Sequence, residues 1–152
     1  MRKYAVALVL LLVASACGSG SDEDSTGSPP STTICEEAPH ISGAQRPRDR
    51  VQVFVANGSG VPRRATAVSE VLEAEGYRGS KPGNANPAET SKVYYRPSYS
   101  ADARGIQSII FPCRVELIMP MPRPDIEFVP DSAVSRVRDA NVVITLGSDM
   151  AG

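Results

Sequence analysis

Tryptophan is absent from the 152-residue chain, aromatic residues make up 5% of it, and there is one histidine, His40. A Ser-His-Asp or Cys-His site would have to draw its base from that position. His40 precedes the first regular element and reads as a solvated loop residue. Net charge is scarce too, since 16 basic and 17 acidic side chains leave a formal charge of -1. That balance excludes a strongly electrostatic nucleic-acid binder, which needs a basic domain. No apolar run reaches the roughly 18 to 20 residues of a membrane-spanning helix. No Cys-x-x-Cys or His-x-x-x-His pair supplies zinc-ligand spacing, so neither a metal nor a cofactor is expected.

What is present begins with an export pattern. Arg2 and Lys3 precede an apolar stretch from Tyr4 to Val13, followed by the small residues Ala14, Ser15 and Ala16, so residues 1–16 read as a signal peptide. Cys17 follows at once, and the arrangement resembles the lipobox of bacterial lipoproteins, in which that cysteine receives a diacylglycerol. Ala14 stands where the motif has leucine, and Ala-Ser-Ala equally suits an ordinary signal peptidase that would release a secreted protein. Three cysteines in an oxidising compartment leave one unpaired. Acylating Cys17 removes the odd one and leaves Cys35 and Cys113 as a candidate disulfide.

Residues 17–45 read as a tether. The run GSGSDEDSTGSPPSTT has no large apolar side chain and cannot offset the entropy of ordering. A flexible coil of this length spans about 20 to 25 Å, enough to lift a domain clear of lipid headgroups. Asp22, Glu23, Asp24, Glu36 and Glu37 make this part acidic, whereas the remainder, residues 46–152, holds slightly more bases than acids.

Within 46–152 the pattern is that of a folded α/β domain. Val51, Val53 and Val55 alternate with Gln52, Phe54 and Ala56 up to Asn57-Gly58, the period of a strand. Val61, Ala65, Val68, Val71 and Leu72 then share one helical face. Ser59 is placed to cap, Pro62 suits a first turn, and Gly76 suits a left-handed C-terminal cap. A short strand is expected near Tyr77 to Lys81 and another at Lys92 to Arg96. A second helix is expected from Ser100 to Phe111, with Ala103, Ile106, Ile109 and Ile110 inward. Val115 to Met119 and Asn141 to Leu146 are the last two predicted strands, and NVVITL is apolar enough to be central and covered on both faces. The order is β-α-β-β-α-β plus a C-terminal strand, which predicts an α/β (α+β) fold with a single sheet of four to five strands covered by two helices. Met119 to Pro124 (MPMPRP) predicts a polyproline-like segment outside any sheet ladder, serving as a stiff connection or as a docking strip.

The segment VQVFVANGSGVPRRATAVSEVLEAEGY, the segment KVYYRPSYSADARGIQSI, and VVITLGSD with Gly147 and Asp149 together resemble the LytR C-terminal domain family over roughly residues 50–152. The resemblance implies a non-catalytic, extracytoplasmic module of the Gram-positive cell envelope, contacting a wall glycopolymer or an envelope protein. With a lipidated Cys17 the expected location is the outer face of the membrane, and with ordinary cleavage the protein is secreted. Family members more often have Gly and an aliphatic residue where this chain has Arg63 and Arg64.

The candidate binding residues are Asn57, Gly58, Ser59, Gly60, Arg63, Arg64, Tyr94, Tyr95 and Tyr99. Backbone N-H groups at a helix start attract anions, and two cations there oppose the helix dipole by about 0.3 to 1 kcal/mol each. The arginines therefore either accompany a bound anion or point into water. Tyr94 and Tyr95 alternate on one strand, so one of them should face outward, where an aromatic ring stacks on sugars or partner side chains. Gly58-Ser59-Gly60 imitates a dinucleotide loop, but Arg63 occupies the place of the third glycine. Glu70, Glu73 and Glu75 read as a solvated helix face, and Asp149 as a turn residue in preference to a cation ligand. The alternative to a binding module is a small wall-active hydrolase, which needs paired carboxylates in a cleft.

Overall fold

The computed structural model describes residues 41, 43–124 and 127–150. All of them fall in one of the chain's two compact units, residues 33–152. The expected signal peptide, Cys17, Cys35 and His40 lie outside the described residues.

Six strands form one mixed sheet: β1 (Gln52–Asn57), β2 (Arg78–Gly79), β3 (Gly83–Asn84), β4 (Lys92–Tyr95), β5 (Ile118–Pro120) and β6 (Val142–Leu146). The order is β2-β1-β6-β4-β5, with β3 also paired to β1. β6 is central, as its apolar sequence predicts: it runs parallel to β1 in the register Val55↔Ile144 and antiparallel to β4 in the register Val93↔Ile144. All five of its residues are buried.

Alternation along β1 and β6 splits the core in two. Val51, Val53, Val55, Val142, Ile144 and Leu146 pack under α1 (Arg64–Ala74) and α2 (Ser100–Ile110). Phe54, Ala56 and Val143 face the other way, toward a third helix, α3 (Val134–Asp139), and the segment before it. Two helices and four to five strands therefore undercount the fold. The β-rich face opposite α1 is closed by Ala133, Val137 and Val129.

Local details follow from chain chemistry. Gly76, at φ 92°, ends α1 in a left-handed cap. The Tyr77 amide donates to the Leu72 carbonyl and the Gly76 amide to the Glu73 carbonyl, at 3.0 and 2.9 Å, the paired bonds of a Schellman motif. Ala65, Val68 and Leu72 are buried as expected, but Val71 is 48% exposed. α1 begins at Arg64, later than the expected Ser59 cap, and Arg63 is its N-cap residue without a side-chain capping bond. At α2, the buried Asp102 accepts hydrogen bonds from the Arg46 amide and guanidinium at 2.7 and 2.6 Å. Gly105 has no side chain because Gln45 lies against it, 2.8 Å from where a Cβ would stand. Those contacts fasten the start of the domain across α2.

Two further expectations are corrected. Val115–Leu117 is a 3-10 turn, and the strand starts at Ile118. Pro120 does belong to the ladder, opposite Tyr95, and the Met121 amide donates to the Tyr95 carbonyl at 2.8 Å. β5 is an edge strand, where a missing proline N-H is tolerated.

Candidate functional site

The turn after β1 holds itself together. Asn57 Oδ1 accepts from the Ser59 hydroxyl at 2.7 Å and from its amide at 3.2 Å, while Asn57 Nδ2 donates to the Val61 carbonyl at 2.8 Å. Ser59 Oγ in turn accepts from the Val61 amide at 3.2 Å. Gly58 donates to the Leu146 carbonyl, and a Cβ on it would stand 2.5 Å from the Asn86 carbonyl oxygen. Gly58, Ser59 and Gly60 therefore line a shallow crevice with Pro87, Ala88, Glu89 and Ser148.

Arg63 and Arg64 diverge. Arg64 reaches back to the Met150 carbonyl and borders an apolar groove between α1 and α2 that includes Val71 and Ile110. Arg63 instead borders a polar cavity of about 290 Å³, lined also by Asn57, Ala65, Thr66, Pro82, Gly83, Asn84, Ser132 and Arg136. Its backbone is left-handed, φ 64° and ψ 5°, a conformation that costs a non-glycine residue about 1 to 3 kcal/mol.

Arg136 enters that cavity from α3. Its guanidinium carbon lies 5.3 Å from the centre of the Phe54 ring, and one of its nitrogens donates to the Ser132 carbonyl at 2.9 Å. Its Nε is buried without a hydrogen-bond partner. A Cβ at Gly83 would stand 2.9 Å from Phe54 and 3.2 Å from Arg136, so the glycine makes room for the stacked guanidinium. Among the described residues, neither Arg63 nor Arg136 meets a carboxylate, whereas Arg46, Arg48 and Arg114 each do. Arg63 and Arg136 thus line one polar cavity together with Thr66 and Asn84.

The tyrosines do not join this site. Tyr94 stacks on Phe128 with centroids 4.6 Å apart, on the α3 side of the sheet. Burial pushes its hydroxyl above the ordinary value, against a smaller opposing hydrogen bond with Thr145. Tyr95 packs partly on the other core and borders a second cavity, about 420 Å³, walled by Arg96, Pro97 and the Pro120–Pro124 stretch. Arg96 there is a structural pin, donating to the Ala140 and Val137 carbonyls at 2.9 Å. Tyr99 lies 4.0 Å beneath the Arg46 guanidinium.

Asp149 closes the domain. Its Oδ1 accepts from the Ser91 hydroxyl at 2.6 Å and amide at 2.9 Å, and its Oδ2 from Arg114 at 2.9 Å. The Gly147 amide donates to the same Ser91 hydroxyl at 2.9 Å. Burial pushes the Asp149 carboxyl up, but the Ser91 and Arg114 bonds outweigh it and hold the group below the usual carboxylate range. Gly147-Ser148-Asp149 is a clasp from the end of β6 to the segments that lead into β4 and β5, and its carboxylate is already occupied.

Sequence reasoning found Asn57 and Arg63 and missed Arg136, Gly83, Asn84, Thr66 and Ser132. Only the 3.6-residue spacing of Ala133, Val137 and Ala140 pointed toward the helix that delivers Arg136.

Among families, that of the LytR cell envelope-related transcriptional attenuator matches residues 50–149, from the start of β1 to the Asp149 clasp. No curated protein matches. Among solved structures, the chain is similar to the solution structure of the C-terminal domain of RV0431, with 18% identity and a TM-score of 0.40, covering 86% of this chain and 98% of that one.

Proposed function

This chain belongs to the LytR cell envelope-related transcriptional attenuator family, and on that premise we propose that it is a non-catalytic binding module of the cell envelope. In this reading lipid on Cys17 holds it at the outer face of the membrane, the acidic tether lifts the domain away, and the domain contacts an anionic wall polymer. The observation that carries the reading is the polar cavity bordered by Arg63 and Arg136, two arginines that meet no carboxylate among the described residues.

Three of the described acids are held in structural contacts. Asp102 is committed to Arg46, Glu75 to Arg48, and Asp149 to Ser91 and Arg114. Glycoside hydrolysis needs two carboxyl groups facing one bond across a cleft, and these three are structural partners.

The test is sedimentation of the full-length, detergent-solubilised protein with purified cell-wall sacculi. Co-sedimentation at low salt that falls as salt rises, with no soluble wall fragment released, is the expected result. Release of fragments would replace the binding reading with the hydrolase, and capture of an envelope protein without wall binding would make that protein the partner.

A further inference from the structure

The cavity between α1 and α3 says more about its ligand than its net charge does. Arg63 and Arg136 come to it from different elements, one at the N-terminus of α1 and one on α3. A carboxylate is planar, with two oxygens that one guanidinium fork already satisfies. Arginines from two elements, with Thr66 and Asn84 in the same lining, suit a group that presents oxygens in several directions. Arg136 is also braced before any ligand arrives, stacked on Phe54 over the space that Gly83 leaves open. One of its nitrogens donates to the Ser132 carbonyl at 2.9 Å, which helps to fix the guanidinium, while its Nε is buried without a partner.

Arg63 adds a second, independent mark. It sits at a left-handed φ of 64°, where glycine is the unstrained choice, and it places a cation at the positive end of a helix dipole. Both effects act against the fold. A cation that opposes both its own backbone and its own helix is the residue whose replacement tests the site.

We infer that the Arg63–Arg136 cavity binds a tetrahedral phosphate group, free or within a phosphodiester polymer, and that Arg63 is held in a strained conformation for that purpose. The inference rests on the envelope-binding reading only for the source of the phosphate; the site chemistry stands apart from it.

The experiment measures calorimetric binding of full-length protein in detergent to poly(glycerol phosphate), to inorganic phosphate, and to polyglutamate of matched length. Wild type should bind the phosphate polymer more tightly than polyglutamate, with inorganic phosphate competing. Arg63→Gly and Arg136→Gln should each weaken phosphate binding about tenfold, the usual worth of a charge-assisted hydrogen bond. Arg78→Gln, which removes an exposed cation outside the cavity, should leave it unchanged. Arg63→Gly should also raise the melting temperature by about 4 °C as the strain is relieved, so that binding and stability move in opposite directions.

Equal affinity for polyglutamate, equal weakening by Arg78→Gln, or undiminished binding in Arg136→Gln would overturn the phosphate site. A lower melting temperature for Arg63→Gly would overturn the strain claim. A protein that sediments with sacculi yet has no affinity for either phosphate probe refutes this inference and leaves the envelope reading intact. Phosphate binding that the two variants abolish, in a protein that never sediments with sacculi, does the reverse.

Discussion

Asp149 shows how a residue that looks available from sequence is already spent in the fold. One carboxylate near the chain end could serve a cation, but Ser91 and Arg114 take both of its oxygens. Because its folded pKa lies below the unfolded one, its stabilisation is present above the unfolded pKa and is lost as pH falls through the folded value. Asp149→Ala should therefore lower the unfolding free energy by about 1 to 3 kcal/mol at pH 7. The deficit should shrink as pH falls from about 4, where the unfolded carboxyl takes up its proton, through the lower folded value. Denaturant unfolding of both proteins at pH 7 and pH 3 checks this, and an equal deficit at the two pH values would remove the clasp from the account. Arg63 and Arg64 teach the complementary lesson. Adjacent in sequence, they serve different places because the first is left-handed and the second begins the helix.

At the scale of elements, the end of α1 is set by Gly76, whose φ of 92° no L side chain adopts without strain. Gly76→Ala should destabilise the domain by more than about 1 kcal/mol, whereas Val71→Lys, on the exposed side of the same helix, should stay within about 0.5 kcal/mol. Thermal melts of the two variants give the contrast; equal melting temperatures would mean the Schellman bonds do not fix the helix end. The long periodic elements were legible because burial on one face imposes a repeat: the valines of β1, the Ala65-Val68-Leu72 stripe and the wholly apolar β6. β2 and β3 have two residues each, paired to β1; the first falls within the short strand expected near Tyr77 to Lys81, and the second is too short to show any period. α3 has six residues, barely more than one turn and a half, and follows a proline-rich stretch that reads as irregular. Missing α3 meant missing Arg136, and with it half of the cavity. The turn residues Asn57 and Ser59 were found by type, but their polar atoms bond to one another, which no sequence pattern reveals.

For the whole molecule, the proposed covalent features at the N-terminal side are what location tests must address. The expectations are lipid on Cys17 and a bond between Cys35 and Cys113. Cys17→Ser should move the protein from the membrane fraction to the medium, and failure of wild type to incorporate labelled fatty acid would contradict the anchor. Intact mass of the natively exported protein, alkylated without reduction, should show no free thiol at Cys35 or Cys113; two alkylated thiols would exclude the bond. In the chain-entropy model, closing so long a loop stabilises by about 4 kcal/mol, so reduction should lower the melting temperature markedly. If both tests succeed, lipid would fix the depth and residues 17–45 the reach, leaving the slightly basic domain to present the Arg63–Arg136 cavity.

That cavity is the centre of the account, and Arg136→Gln tests it most directly because Arg136 comes from a different element than the strained turn. The measurement is co-sedimentation of full-length wild type and Arg136→Gln with purified sacculi, at low and at high salt, with melting temperatures recorded alongside. Wild type should pellet at low salt and release at high salt, and the variant should pellet about tenfold less at low salt while remaining folded. A folded variant that pellets as well as wild type would contradict the claim that this cavity is where the envelope is bound.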